Sequence, residues 1–374
     1  VIELENLTKV FETAKGPVMA SDRVNMVVPE GEICVLLGPS GCGKTTTMKM
    51  VNRLIEPTSG KIFINGKDTD ESDVVELRRN IGYVIQQIGL FPNMTVEDNI
   101  CAVPDLLGWD KGKSRKRAAE LVEMMALEPS VFLKRFPKEL SGGQQQRIGV
   151  ARGLAADPPV LLMDEPFGAI DPINREIIQD EFLKMQSAIR KTIMFVSHDI
   201  DEAVKMGDKI AIFREGALVQ YDVPDMILSH PADKFIADFV GSDRTLKRLR
   251  LLTVNDALEF ERPSVLVTDE LNAASKLMQD RGHANIVVVT KLGKPIGSLR
   301  LNDLKGKSGL VGDHRAPLPI TIKVKDDLRN AVSSMFRHDT NWLVVVDDNG
   351  VFVGNITQRG VTHLLGSAYR EVQD

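Results

Sequence analysis

The stretch "EICVLLGPSGCGKTTTMKMVNRL", residues 32–54, runs an unbroken apolar segment into a glycine-rich turn and then into a stretch with helical spacing. Its middle, "GPSGCGKTT", fits G-x-x-x-x-G-K-[S/T] in full, between a strand-like run and a helix-like one. Chemistry requires that order. Glycines let the loop of Gly38, Pro39, Ser40, Gly41, Cys42 and Gly43 curl its backbone N–H groups round phosphate oxygens, proline contributing shape and no donor. The helix start adds partial positive charge. Lys44 is placed to reach the outer phosphates, and Thr45, followed by Thr46, offers a hydroxyl to Mg²⁺.

Such a site needs acidic partners, and "VLLMDE" supplies them at residues 160–165. An apolar strand ending in Asp164 delivers a carboxylate to the carboxyl edge of a sheet, where it can hold the metal or its water. Glu165 follows at once and suits a general base acting on water. A third apolar run, "TIMFVSHD" at 192–199, ends near His198, a candidate sensor of the terminal phosphate. Gln86, in "GYVIQQIGLFP", stands where another strand breaks and can bring an amide to the metal and water; Gln87 and Gln144–Gln146 compete with it on residue type alone.

Outward from these motifs, apolar strands alternate with helical stretches up to about residue 245. This predicts an α/β domain with a largely parallel sheet. Residues from about 90 to 150 differ: "KSRKRAAELVEMMAL" has helical periodicity, and the region reads as an inserted helical subdomain. Beyond a basic connector at 246–252, the sequence repeats. Residues 271–304 overlay 328–361 without a gap, matching Leu271 with Leu328, Ala274 with Ala331, Met278 with Met335 and Gly297 with Gly354. Each copy reads helix, strand, turn, strand, helix, and two units this short are expected to share a core. The expected domains are 1–245, 253–310 and 311–374.

Composition is that of a folded soluble chain, with 43% hydrophobic and 26% charged residues in 374. A net charge of -5 offers no global attraction to nucleic acid, and none is expected as a partner. Three cysteines without paired spacing argue against a disulfide framework or a thiolate metal site. No run approaches a membrane span, and the alternating "VIELENLTKVF" start lacks the features of a signal peptide, so the chain reads as cytoplasmic.

Taken together, these motifs resemble the ATP-binding subunits of ATP-binding cassette (ABC) transporters. "LSGGQQQR" at 140–147 matches the family signature, "GPSGCGKTT" the Walker A loop, "VLLMDE" Walker B and "FGAID" the D-loop, while Gln86 and His198 match the Q-loop and switch residues. The resemblance implies a P-loop NTPase cassette that hydrolyses ATP with Mg²⁺, its metal held by Thr45, Asp164 and Gln86. It also implies that Phe11 stacks on adenine. Ser141, Gly142, Gly143 and Gln144 are implied to close over ATP held by a second copy of the chain; a glycine turn at a helix start suits that role physically.

"GWDKGK", "RFPKELSGGQQQRIGVARGLAADPP" and neighbouring phrases are similar to the ATPase subunits of osmoprotectant importers, which move quaternary amines. That likeness implies two membrane permease subunits, an extracytoplasmic substrate-binding protein and a peripheral position on the cytoplasmic face of the cell membrane. An importer of another small solute, a non-transport ABC ATPase and a regulatory scaffold are the alternative readings.

The C-terminal repeat resembles a tandem pair of cystathionine β-synthase (CBS) domains. Nucleotide-binding members place Thr or Ser three residues before Asp, whereas here the copies have Arg300 with Asp303 and Thr357 with Gly360, each keeping half of the pattern. An adenosine nucleotide, a cyclic dinucleotide, ionic strength, anionic lipid or simple dimerisation all stay open as its role. The connector residues Arg244, Lys247, Arg248 and Arg250 read as a solvated face or a lipid contact. Leu90 and Phe91 read either as core or as a surface for a membrane-subunit helix.

Overall fold

The computed structural model describes residues 1–85, 89–168, 170–259, 264–318 and 320–370. Gln86, the Q-loop candidate, and Gln87 lie outside the described residues. The chain forms two compact units, one of Val1–Ile227 with Pro231–Val240, the other of Leu228–His230 with Gly241–Asp374.

In the first unit, β1 (Ile2–Thr13), β2 (Gly16–Val28), β4 (Ser59–Ile64) and β5 (Lys67–Asp68) form an antiparallel sheet in the order β2-β1-β4-β5. A six-stranded sheet runs β10-β9-β3-β8-β7-β6, from β3 (Ile33–Leu37), β6 (Ile81–Val84), β7 (Val160–Asp164), β8 (Thr192–Val196), β9 (Lys209–Arg214) and β10 (Ala217–Asp222). All its neighbours are parallel except β9 and β10. Every residue of β3, β7 and β8 is buried, which is why these strands read as continuous apolar runs. Cys34, Leu36, Leu162 and Met194 pack with Met48 and Val51 of the helix Lys44–Val51, and with Ile2, Leu4 and Met26 of the antiparallel sheet. The phosphate-loop helix is thus part of the core.

Between β6 and β7 the described residues form helices Val96–Leu106, Lys111–Met124, Pro129–Phe132 and Gly142–Leu154, as the periodicity predicts. Their starts are encoded locally. Thr95 and Asp98 make a capping box, Asp110 caps Gly112 and Lys113, and Ser114, Ala118, Leu121 and Val122 place one buried stripe on the second helix.

The second unit contains two small sheets, β11 (Ser264–Leu266), β12 (Asn285–Val289) and β13 (Pro295–Arg300), then β14 (Thr321–Lys323), β15 (Trp342–Val346) and β16 (Phe352–Thr357). Their registers repeat. Ser264 pairs with Val287 as Thr321 does with Val344, and both antiparallel pairs slip at the same place, before Val289 and Val346. The aligned residues Leu271, Ala274, Met278, Leu328, Ala331 and Met335 are all buried. Two details differ from the sequence reading. Each repeat opens with a short extra strand, and the first ends in a 3₁₀ turn, Leu301–Leu304, where a helix is expected.

The repeats also exchange their leading segments. Leu249, Val254 and Ala257 pack in one core with Ile322, Leu328, Leu343 and Ile356 of the second repeat, and the Val254 amide donates to the Asp326 carbonyl. Reciprocally, Val311 packs with Val265, Leu271 and Ile286 of the first, and the Gly312 amide donates to Val267. The expected boundaries at 253 and 311 therefore cut through both cores. Nor is the connector a separate linker: the Leu328 and Arg329 amides donate to the Leu252 and Leu249 carbonyls. Within it Arg248 is buried and Lys247 pairs with Asp243 at 2.5 Å, so these two cations do not form the solvated basic face expected of 246–252.

Candidate functional site

Strands β3, β8 and β7 are neighbours, and their carboxyl ends carry the predicted residues side by side. In the turn after β3, Gly38, Gly41 and Gly43 have φ of 143°, 78° and 103°. A Cβ on Gly38 would collide with the Phe213 carbonyl oxygen, and one on Gly43 with that of Ala20, so no other residue fits either place. A Cβ on Gly41 would meet nothing within 4 Å. Pro39, Ser40 and Gly41 are exposed, which leaves this turn open to a ligand. Cys42 is buried beneath it.

Lys44 is buried, and its ammonium donates to the carbonyls of Gly38 at 2.6 Å and Pro39 at 2.9 Å. Thr45 Oγ1 donates to Asp164 Oδ1 at 3.0 Å across 119 residues of sequence. Burial pushes the Asp164 carboxyl above its usual range, against an opposing pull from that hydroxyl. A hydroxyl and a carboxylate held this close form an oxygen pair suited to a hard divalent cation that keeps most of its waters.

Glu165 turns out of the strand with φ of 47°, in the left-handed region. Its amide donates to the Val196 carbonyl of β8 at 3.1 Å, and its carboxylate Oε1 lies 3.4 Å from His198 Nδ1. The His198 side chain is 66% exposed, free to meet a ligand on the open side. Lys44, Thr45, Asp164, Glu165 and His198 thus share one strand edge. Phe11 is near it in register: the residue pairs with Val18, two positions along β2 from the Ala20 that abuts Gly43, and the Lys9 ammonium sits 5.0 Å from its ring centre.

Ser141, Gly142, Gly143 and Gln144 are elsewhere. Ser141 caps the helix Gly142–Leu154, accepting from the Gln144 amide at 3.3 Å, while the Gln144 side chain accepts from the Ser141 amide at 3.0 Å. The Gln144 side chain is thereby turned back on its own helix start. Gly142 and Gly143 hold the first two helical positions, whose amides have no acceptor within the helix. Among the described residues none of these four hydrogen-bonds to the phosphate loop of its own chain.

The sequence reading missed the supports. Gln146 is buried on the same helix, and its Nε2 donates to the Glu165 carbonyl at 3.2 Å. Glu202, also buried, accepts from Ser197, next to His198, and from Gln179 Nε2 at 3.1 Å; burial raises its carboxyl. Arg175 donates to the Ile170 carbonyl at 2.9 Å and approaches Asp199 at 3.8 Å, tying the D-loop to the switch segment. The available signal was polarity on an apolar stripe: Gln146 stands one helical turn before Val150 and two before Leu154, both buried.

A second cleft, about 1410 Å³ in volume, lies within the other unit between its repeats, lined among others by Glu259, His283, Thr357, Arg359 and His363. Thr357 Oγ1 donates to Glu259 at 2.5 Å and accepts from the Gly360 amide at 3.0 Å. Glu259 thus brings a carboxylate close to Gly360, where the family pattern has Asp.

A sheet with a glycine loop, a strand-end carboxylate pair and a switch histidine on one edge, interrupted by a helical region with its own glycine cap, defines an ABC ATPase. Residues 21–168 match the ABC transporter family model, and 314–367 match that of the CBS domain. The chain belongs to the family of ABC transporter ATP-binding proteins. It is 55% identical to the osmoprotectant import ATP-binding protein OsmV of Salmonella typhimurium, over 98% of this chain and 97% of that one. It is 42% identical to the glycine betaine/carnitine/choline transport ATP-binding protein OpuCA of Bacillus subtilis, over 98% and 96%. Among solved structures, the dimeric post-hydrolysis state of the ATP-binding cassette MJ0796, bound to ADP and Pi, matches with a TM-score of 0.56 and 33% identity, over 60% of this chain and 99% of that one.

Proposed function

We propose that the chain powers import of a quaternary-amine osmoprotectant by hydrolysing ATP beneath two membrane permease subunits, with an extracytoplasmic substrate-binding protein delivering the solute. The observation that carries this reading is the Thr45–Asp164 contact beside Glu165 and His198, in a chain similar over nearly its whole length to ATPases named for osmoprotectant, glycine betaine, carnitine and choline transport. Lys44 and the loop amides bind the phosphates, and Phe11 stacks on adenine. Thr45 and Asp164, with Gln86, hold Mg²⁺, which when bound offsets phosphate charge. Glu165 accepts the proton of the attacking water, while His198 contacts the terminal phosphate. Ser141, Gly142, Gly143 and Gln144 serve ATP on a second copy of the chain.

Phe91 favours a coupling role over a core one. It is 48% exposed, yet Asn99 clasps its amide and carbonyl at 2.8 and 3.1 Å and the Arg152 guanidinium lies 5.5 Å from its ring. A rigid exposed aromatic suits contact with a membrane-subunit helix. Among the described residues no helix is long and apolar enough to cross a membrane; in the proposed assembly the permease subunits supply the spans and this chain sits peripherally on their cytoplasmic side. The cleft at Thr357 and Glu259 is where a regulatory ligand, a cyclic dinucleotide among the options, would bind; anionic lipid at the basic connector is a second proposed input.

The test is ATP-driven uptake of labelled glycine betaine, carnitine and choline into vesicles carrying the complete transporter. Uptake of at least one, abolished by Glu165→Gln, is expected. ATP turnover without uptake of any of the three, alongside uptake of an unrelated solute, refutes the assignment of solute class.

A further inference from the structure

We infer that Gln146 is a positioning residue that couples the two ATP sites of the dimer, an inference that rests on the composite-site reading above. The helix Gly142–Leu154 begins at the glycine cap assigned to the partner's ATP. One turn later the same helix holds this chain's own base: Gln146 Nε2 donates to the Glu165 carbonyl at 3.2 Å.

Two features make that bond consequential. Glu165 occupies a left-handed backbone conformation, with φ of 47°, that a residue with a side chain adopts only when its surroundings hold it there. Among the described residues its carbonyl also accepts from the Gly168 amide at 3.2 Å, from the turn that Glu165 itself begins. Gln146 is therefore the support that arrives from the helical region. The start of the helix also lies beside the same segment, near enough to Ile170 that an added Cβ on Gly143 would come into van der Waals contact with its side chain at 3.7 Å. Movement of the glycine cap as it engages the partner's ATP is thus passed to the Glu165 backbone through a rigid helix and one amide.

Gln146 is 2% exposed, and its other polar side-chain atom, Oε1, has no hydrogen-bond partner among the described residues. A buried amide with half its capacity unused contributes less to stability than a fully paired one, so its placement serves position more than folding.

The experiment compares wild type with Gln146→Met, which keeps length and apolar volume but cannot donate, and with Gln146→Leu as a second variant, each in the complete transporter. ATPase rate is measured against ATP concentration, and ATP-driven dimerisation is measured separately on full-length chains that also carry Glu165→Gln. The expected result is kcat lower by roughly three- to tenfold, the scale of one lost hydrogen bond, with a Hill coefficient falling toward one and unchanged half-saturation for dimerisation. Wild-type kcat and Hill coefficient in both variants overturn the inference. So does a loss of rate matched by lost dimerisation and lower Tm, which would make Gln146 a packing residue. A wild type that hydrolyses ATP with no cooperativity and never dimerises refutes the composite-site reading instead.

Discussion

Replacing Gly43 and Gly41 by alanine separates two things that a phosphate loop does. Both glycines have positive φ, 103° and 78°, yet an added Cβ meets the Ala20 carbonyl oxygen at Gly43 and nothing within 4 Å at Gly41. Gly41→Ala should cost backbone strain alone, about 1–2 kcal/mol, or roughly 2–8 °C in Tm for a unit of this size. Gly43→Ala adds an overlap that only backbone movement relieves, about 1–3 kcal/mol more. Gly43 also precedes the first residue of the helix Lys44–Val51, so the shift moves Lys44 and Thr45 together. A displacement near 1 Å costs up to about 10²-fold in a positioned reaction. Differential scanning of both full-length variants, with titration of a fluorescent ATP analogue, reads the two effects. Equal Tm losses would refute the steric argument. Tight nucleotide binding by Gly43→Ala would refute the claim that this turn holds the phosphates.

Four further outcomes are expected. Glu165→Gln should keep ATP binding and lose about 10²- to 10⁴-fold in turnover, accumulating an ATP-bound dimer detectable by light scattering; near-normal hydrolysis removes Glu165 as the base. Asp164→Asn tests burial: because the folded protein raises this carboxyl, its ionised form is a cost present above the folded pKa and absent below the unfolded value near 3.9. The nucleotide-free variant should therefore melt higher than wild type at about pH 8, with the gap closing as pH falls through the raised pKa, while ATPase drops by roughly 10²-fold or more. A mixed dimer of Lys44→Ala with Ser141→Arg puts both defects in one composite site, and its ATPase should exceed that of either homodimer; crosslinking of Ser141 to Lys44 within one chain would contradict the arrangement. A chain ending at Val240, the end of the first unit, should still bind ATP but lose the intact transporter's response to salt or to a regulatory ligand, and identical response curves would make the second unit purely structural.

What could be read in the sequence follows the range of the forces involved. Strands β3, β7 and β8 were legible because burial on both faces demands unbroken apolar runs, and the phosphate loop because glycine spacing, strand and helix are contiguous. The 57-residue repeat was legible as similarity, yet its cores were not: Val254 packs with residues beyond 320 and Val311 with residues near 270. No local pattern records such an exchange. The first repeat's closing 3₁₀ turn escaped because "LNDL" carries a helix-like apolar spacing too short to propagate. Gln146 and Glu202 escaped for another reason, being polar residues whose partners are a carbonyl and a hydroxyl brought near only by folding.

Glu165 shows why those supports matter to the chemistry. A left-handed non-glycine residue costs about 1–3 kcal/mol, and a solvated loop would relax it. Among the described residues the strain is held by the Val196 carbonyl on the β8 strand, by the Gly168 amide at the start of the D-loop and by Gln146 on the signature helix. Each holder belongs to an element that the proposed composite site assigns to ATP on one side of the dimer or the other: β8 leads to His198, the D-loop runs on to Asp171, and the helix starts at Ser141. In the proposed closed dimer these three elements together set the backbone from which the carboxylate projects. With Glu165 as the proposed base, this arrangement ties hydrolysis to closure of the proposed dimer, as a transport ATPase requires if ATP is not to be spent without solute movement.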